Sequence, residues 1–179
     1  MNWEFVVLDG IQELFSCKAM DLIMPMITHL CDGGAFWIVL ALILLLNRKT
    51  RRTGCFMAAA LLADVILVNM LVKPIVNRVR PYEINTMVNL LIRKPIDSSF
   101  PSGHTAASFA ATTALFMAGR RNWGIAALVL STAIAFSRLY LYVHFPTDVL
   151  GGILFGILSG ILGGLILKLV EKKRTKKNC

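Results

Sequence analysis

DVLGGILFGILSGILGGLILK, residues 148–168, carries no charge between Asp148 and Lys168. A helix of that length spans a bilayer, whose hydrocarbon core takes about 20 apolar residues. Gly152, Gly156, Gly160 and Gly164 recur at every fourth position, so one helical face is bare backbone and a neighbouring helix can approach closely. That neighbour belongs to the same chain or to a second copy, and a compact bundle favours the same chain. Four more apolar runs lie upstream, at about 33–47, 54–72, 104–119 and 123–142. Over the 179 residues, 56% are hydrophobic and 16% charged, with a mean hydropathy of +0.68. Soluble domains run at about 45–50% apolar and about 25% charged. This composition argues against a water-soluble globular enzyme, excludes disorder and leaves no room for a separate soluble domain. The expected fold is all-α: a polytopic membrane helix bundle of five to six transmembrane helices, with amphipathic interfacial helices at the N-terminus.

The net charge of +9, which on a soluble chain would suggest nucleic acid, is explained by position. Basic residues gather at Arg48–Arg52, at Arg120 and Arg121, and in the tail from Lys168 to Lys177, each cluster beside an apolar run. Such clusters anchor loops on the cytoplasmic side. Placing all three inside makes the five runs alternate consistently, puts the C-terminus in the cytoplasm and leaves residues 1–32 outside. That outer segment has one base, Lys18, against Glu4, Asp9, Glu13, Asp21 and Asp32. Its runs VVLDGIQELF and MDLIMPMITHL are too charged to span, so one or two surface helices are expected there, with a sixth, poorly formed span as the alternative. Met1–Asp9 lacks the positive start of a cleavable signal peptide. Trp37, Tyr82, Tyr140 and Tyr142 fall near the expected outer interface and Trp123 near the inner one, as an aromatic belt would. Cys17, Cys31, Cys55 and Cys179 have neither disulfide-framework nor metal-ligand spacing. The expected organisation is 1–32 extracytoplasmic, 33–170 a transmembrane catalytic domain and 171–179 a basic cytoplasmic tail.

Three polar segments crowd the outer side: KPIVNRVRP (Lys73–Pro81), PSGH (Pro101–His104) and SRLYLYVHFPTD (Ser137–Asp148). They bring Lys73, Arg80 and Arg138 as cations, Ser102 and Gly103 at a helix start, His104, His144 and Asp148. Cations joined by convergent N–H groups make an anion site. His144 and Asp148, four apart, fit one helical face, where a carboxylate fixes one ring nitrogen and frees the other for attack. His104, on another helix, can protonate a departing oxygen. Lone histidines and edge arginines are more often structural, so His29, Arg78, Arg93 and Lys94 are read that way. Asn69, four before Lys73, is expected to support that lysine, whereas Asp64 has no assigned role.

These residues resemble the three-part signature of the type 2 phosphatidic acid phosphatase superfamily of membrane lipid phosphatases, over roughly residues 20–170. Lys73, six residues and Arg80-Pro81 are followed by Pro101-Ser102-Gly103-His104. Ser137-Arg138, five residues, His144, three residues and Asp148 complete it. The resemblance implies a metal-independent, cofactor-free phosphatase working through a phosphohistidine intermediate. His144 would be its nucleophile, Asp148 the partner that orients it and His104 its general acid, with Lys73, Arg80, Ser102, Gly103 and Arg138 holding the phosphoryl oxygens. Against many bacterial members, the expected departure is the lack of a full first span ahead of the outer helix.

The implied partners are membrane lipids and a lipid phosphate, such as undecaprenyl diphosphate, phosphatidylglycerophosphate or phosphatidate, with no nucleic acid. A bacterial cytoplasmic membrane with the active site on its extracytoplasmic face is the implied location. Nothing in the pattern distinguishes monomer from homodimer. Two other readings use the same residues: a vanadate-holding haloperoxidase, disfavoured by the absence of a soluble shell, and a non-catalytic anion-binding transporter.

Overall fold

The computed structural model describes residues 3–177, which form helices joined by short connections and by one long loop over residues 85–102, with no strand among the described residues. Met1, at the head of the expected outer segment, and Cys179, at the end of the expected tail, lie outside the described residues. Helices α1 (Trp3–Phe15) and α2 (Lys18–His29) precede the apolar runs. The runs themselves become α3 (Ala35–Leu46), α4 (Arg51–Asp64) with its extension, α7 (Gly103–Met117), α8 (Arg121–Tyr140) and α9 (Pro146–Lys177). Beyond Asp64 the α4 helix widens into a π-helix over Val65–Val72, where the N–H of Lys73 bonds the carbonyl of Val68, five residues back. It tightens again as the short turn α5 (Lys73–Val76), and a second single turn, α6 (Pro81–Ile84), follows.

By length and hydropathy, Arg51–Ile84, Arg121–Tyr140 and Pro146–Lys173 can each cross a membrane. The pair Lys18–His29 and Asp32–Leu46, bent by 42°, makes a fourth crossing if it is one broken span. The α7 helix, with 15 residues, is about 22 Å long against a core of about 30 Å. It packs on α4, α8 and α9, and protein rather than lipid satisfies its surroundings.

Polarity is inverted relative to a soluble protein. Ser108, Thr112, Ser131 and Ser159 are buried, while Leu42, Ile43, Leu62, Ile66, Val129, Leu154 and Leu169 are exposed. The interior is held by small residues and short polar clasps, including Trp37 Nε1 to Ser108 Oγ at 2.9 Å and Thr112 to Ser131 at 2.9 Å. The glycine face of α9 packs on α7 of the same chain. A Cβ at Gly152 would stand 2.7 Å from Ser102 O, at Gly156 2.4 Å from Ala106 O, and at Gly160 2.4 Å from Thr113 Cβ.

The aromatic belt expected on the outer side is not there. Trp37, Tyr82, Tyr140 and Tyr142 are buried, and Trp123 alone of the five is exposed. The tyrosines dock the outer helices instead: Tyr140 donates to Asp21 at 2.6 Å and Tyr142 to Asp9 at 2.7 Å. Leu8 of α1 packs with Tyr142 and Phe145, and Met24 of α2 with Tyr82 and Tyr140. The α1 and α2 helices therefore cover the loop between α8 and α9.

Candidate active site

Each of the three polar segments places its residues at the same end of the bundle for a local reason. Arg80 caps α6, its N–H donating to Glu83 Oε2 at 2.9 Å. Gly103 and His104 open α7, Arg138 closes α8, and Asp148 lies in the first turn of α9 behind Pro146. The chain reverses between α8 and α9 through Tyr142, a left-handed residue (φ 59°) locked by burial, and His144 follows it. A cavity of about 300 Å³ results, lined by Lys73, Arg80, Gly103, His104, Arg138 and His144. Asn69 and Asp64 line it too.

His144 is buried in the wall of this cavity. Its Nε2 lies 3.3 Å from Arg80 Nη1, and its Nδ1, which has no hydrogen-bond partner, lies 3.6 Å from Asp148 Oδ2. Burial first, then the charges of Arg80, Arg138 and Lys73, push its pKa well below the ordinary histidine value of 6.5. The imidazole is thus neutral at neutral pH, as an attacking nitrogen must be. Asp148 Oδ2 accepts from Ser99 Oγ at 2.5 Å and from the Phe145 N–H at 2.8 Å. Ser102 does not line the cavity; its N–H donates to Asp148 O at 3.0 Å and its hydroxyl accepts from Thr105 at 3.0 Å.

The cations are enclosed. Lys73, Arg80 and Arg138 are all buried. Arg80 Nη1 donates to Val143 O at 2.7 Å, and Arg138 bonds Thr28 of α2 while its Nε has no partner. A methyl on Gly103 would sit 3.6 Å from Lys73 Nζ and 3.8 Å from Asn69 Oδ1, so the glycine lets the α7 terminus come up to the ammonium. Asn69 shares that spot but makes no hydrogen bond to Lys73. The π-helix displaces the four-residue stacking that the sequence spacing assumed.

Four acids that sequence reasoning left out complete the site. Asp32 accepts from His104 Nε2 at 2.9 Å and holds His29 Nδ1 at 2.7 Å through its other oxygen. Asp97, in the loop after α6, pairs with both Lys73 and Arg80, the latter at 2.7 Å. Burial pushes its pKa up, but the Lys73 bond and charge and the Arg80 charge prevail and hold it at about 2. Glu4 of α1 accepts from Arg78 at 2.5 Å, and the same guanidinium donates to Asp148 Oδ1 at 2.6 Å. Arg78 therefore links α1 to Asp148 rather than reaching for headgroups, and its guanidinium lies 4.2 Å over the Phe145 ring. Asp64, in the wall of the same cavity, keeps Oδ1 unpartnered. None of these acids stands in the three motifs, and only their location outside the membrane runs could have drawn attention to Asp32 and Asp97.

Known proteins are similar to this chain in sequence and in fold. The PAP2 superfamily profile matches residues 53–174. The undecaprenyl-diphosphatase BcrC of Bacillus subtilis is 31% identical over 156 residues, 86% of this chain and 78% of that protein. An undecaprenyl-diphosphatase of Sulfolobus acidocaldarius is 31% identical over 119 residues, covering 66% of this chain and 57% of that protein. The crystal structure of Aquifex aeolicus LpxE superposes with a TM-score of 0.77 at 28% identity, over 91% of this chain and 95% of that one. That of a transmembrane PAP2 type phosphatidylglycerolphosphate phosphatase from Bacillus subtilis gives 0.70 at 28% identity, over 97% and 88%. With profile, sequence identity and helical architecture in agreement, the chain belongs to the PAP2 superfamily of membrane lipid phosphatases.

Proposed function

We propose that this protein removes a terminal phosphate from a membrane lipid at the extracytoplasmic face of a bacterial cytoplasmic membrane, through a phosphohistidine on His144. The observation that carries the reading is one cavity lined by two histidines and three buried cations drawn from separate helices. In phosphoryl transfer, positioning and charge stabilisation do most of the work. Lys73, Arg80 and Arg138 neutralise the phosphoryl oxygens, with the first turn of α7 at Gly103 supplying an N–H group. His144 Nε2 attacks phosphorus in line and the P–O bond to the lipid breaks. Asp148, held by Ser99, Arg78 and the Phe145 N–H, takes up the hydrogen bond of Nδ1 as positive charge develops on the ring. Asp32 holds one nitrogen of His104 and leaves the other to protonate the departing oxygen. His104 then takes a proton from water, which cleaves the P–N bond and releases inorganic phosphate.

The topology supports the same face for the site and the opposite one for the C-terminus. Each site-bearing helix has a basic end away from the cavity, where Arg52 pairs with Glu171 at 2.9 Å and Arg120 donates to Thr53 at 3.2 Å. Positive charge marks the cytoplasmic side. On this reading residues 33–170 form the phosphatase domain, 171–179 its cytoplasmic tail, and 1–32 an outer segment that lends Thr28 and Asp32 to the site. The relatives' names favour undecaprenyl diphosphate, with phosphatidylglycerophosphate next. No step is assigned to a metal or cofactor. The test is phosphate release from these two lipids and phosphatidate, in detergent with EDTA, by wild type and H144A. Release by wild type alone supports the proposal; equal release by H144A, or none by wild type until a metal is restored, contradicts it.

A further inference from the structure

The loop between α6 and α7 presents its Asp97 carboxylate to the phosphoryl site. Its neighbours are pinned: Tyr82 OH donates to Pro95 O at 2.7 Å, the Arg78 N–H to Ser98 Oγ at 3.0 Å, and the Ser99 N–H to Arg78 O at 2.8 Å. Between these anchors, one carboxylate oxygen meets Lys73 Nζ and the other Arg80 Nη2, while Arg80 Nε donates to Asp97 O at 2.8 Å. The two cations are 7% and 2% exposed, whereas the Asp97 side chain is 52% exposed. The carboxylate therefore stands at the mouth of the cavity, on the groups that would hold a phosphate.

We infer that Asp97 is a tethered anion that occupies the phosphoryl site until a terminal phosphate displaces it, and that it keeps the phosphodiester headgroups of ordinary membrane lipids out. The inference rests on the reading of Lys73 and Arg80 as phosphate-binding groups. A phosphodiester is a monoanion with two unesterified oxygens, so in charge and reach it replaces the carboxylate like for like. It must also compete with a group held on the same chain, whose effective concentration is on the order of millimolar. A terminal phosphate carries about −1.5 to −2 at neutral pH and three such oxygens, enough to engage Lys73, Arg80 and Arg138 together. The competitor raises the apparent dissociation constants of both anions by the same factor, which lifts that of the weakly held diester above its concentration in the membrane while the more strongly held monoester still binds. A bilayer is crowded with phosphodiesters, so a site without this competitor would be filled by bulk lipid.

The experiment compares wild type, D97N, D97S and D97E in detergent, with folding checked by thermal unfolding and H144A run alongside. For each, KM is measured for a short-chain phosphatidate and Ki for dihexanoyl phosphatidylglycerol as a phosphodiester inhibitor. The readouts are Ki and KM themselves, which a loss of active enzyme does not move. The neutral variants D97N and D97S are expected to lower Ki and KM together by about tenfold or more, about 1.4 kcal/mol, while D97E keeps both near the wild-type values. A Ki in the folded neutral variants that is unchanged or raised overturns the inference and leaves Asp97 as a group that orients Lys73 and Arg80. Phosphate release by H144A would overturn the underlying reading of the site instead, and the two failures are distinguishable in one data set.

Discussion

His144 is buried between a guanidinium 3.3 Å from Nε2 and a carboxylate 3.6 Å from Nδ1, and its protonation state decides whether the site can start. Burial and the Arg80, Arg138 and Lys73 charges all disfavour the imidazolium, so the pKa lies well below 6.5. The acid limb of kcat/KM, which reports the free enzyme, is therefore expected below 6.5, with activity lost only as pH falls through the depressed value. Replacing Arg80 by Gln removes a cation and should move the residual activity's acid limb upward. A wild-type limb at or above 6.5, or an unmoved limb in R80Q, contradicts this electrostatic picture. The cavity-lining residues Lys73, Arg80, His104, Arg138 and His144 were all legible as candidates, because their spacing and residue types announce an anion site. Their acidic partners were not. Asp32, Asp97 and Glu4 reach the site from loops and an outer helix that have no periodic relation to the motifs, and Arg78 looked like an ordinary edge arginine.

The element that fixes the geometry is the contact of α9 with α7, made at glycines where backbone meets backbone. At Gly156 a methyl group would lie 2.4 Å from Ala106 O, and neither helix can yield without displacing His104 or Asp148 at its outer end. Gly156→Ala is expected to destabilise by about 1–3 kcal/mol through overpacking, read as a drop of about 2–4 °C in Tm per kcal/mol, with phosphatase activity falling in step. Gly10→Ala in α1, where a methyl group meets nothing within 4 Å, is the matched control and should leave Tm unchanged or slightly higher. A Tm for G156A equal to that of wild type would contradict the packing account. Four of the five apolar helices were legible to within a few residues, as the pair 104–119 and Gly103–Met117 illustrates, since hydropathy alone marks them, while α9 runs on through the basic tail to Lys177, past the expected end at 168. The π-helix over Val65–Val72 was not, because its wider turn leaves no trace in composition. Nor was the burial of Tyr140 and Tyr142, since a tyrosine at a membrane rim reads alike whether it faces headgroups or another helix.

Seen as a whole, the molecule is an inside-out bundle: leucine-rich outside, lined with small and hydroxyl residues inside, with basic clusters at one end and the cavity at the other. The outer segment is part of that architecture, since Thr28 and Asp32 touch Arg138 and His104. Placing two imidazoles and three cations around one cavity matters chemically if one of those imidazoles takes the phosphoryl group. The direct measurement is to incubate the enzyme with a lipid bearing a radiolabelled terminal phosphate, quench in alkali, where phosphohistidine survives, and map the labelled peptide. The account predicts label on the peptide containing His144 and none in H144A. Turnover with an unlabelled enzyme, or label on a residue other than His144, would contradict it.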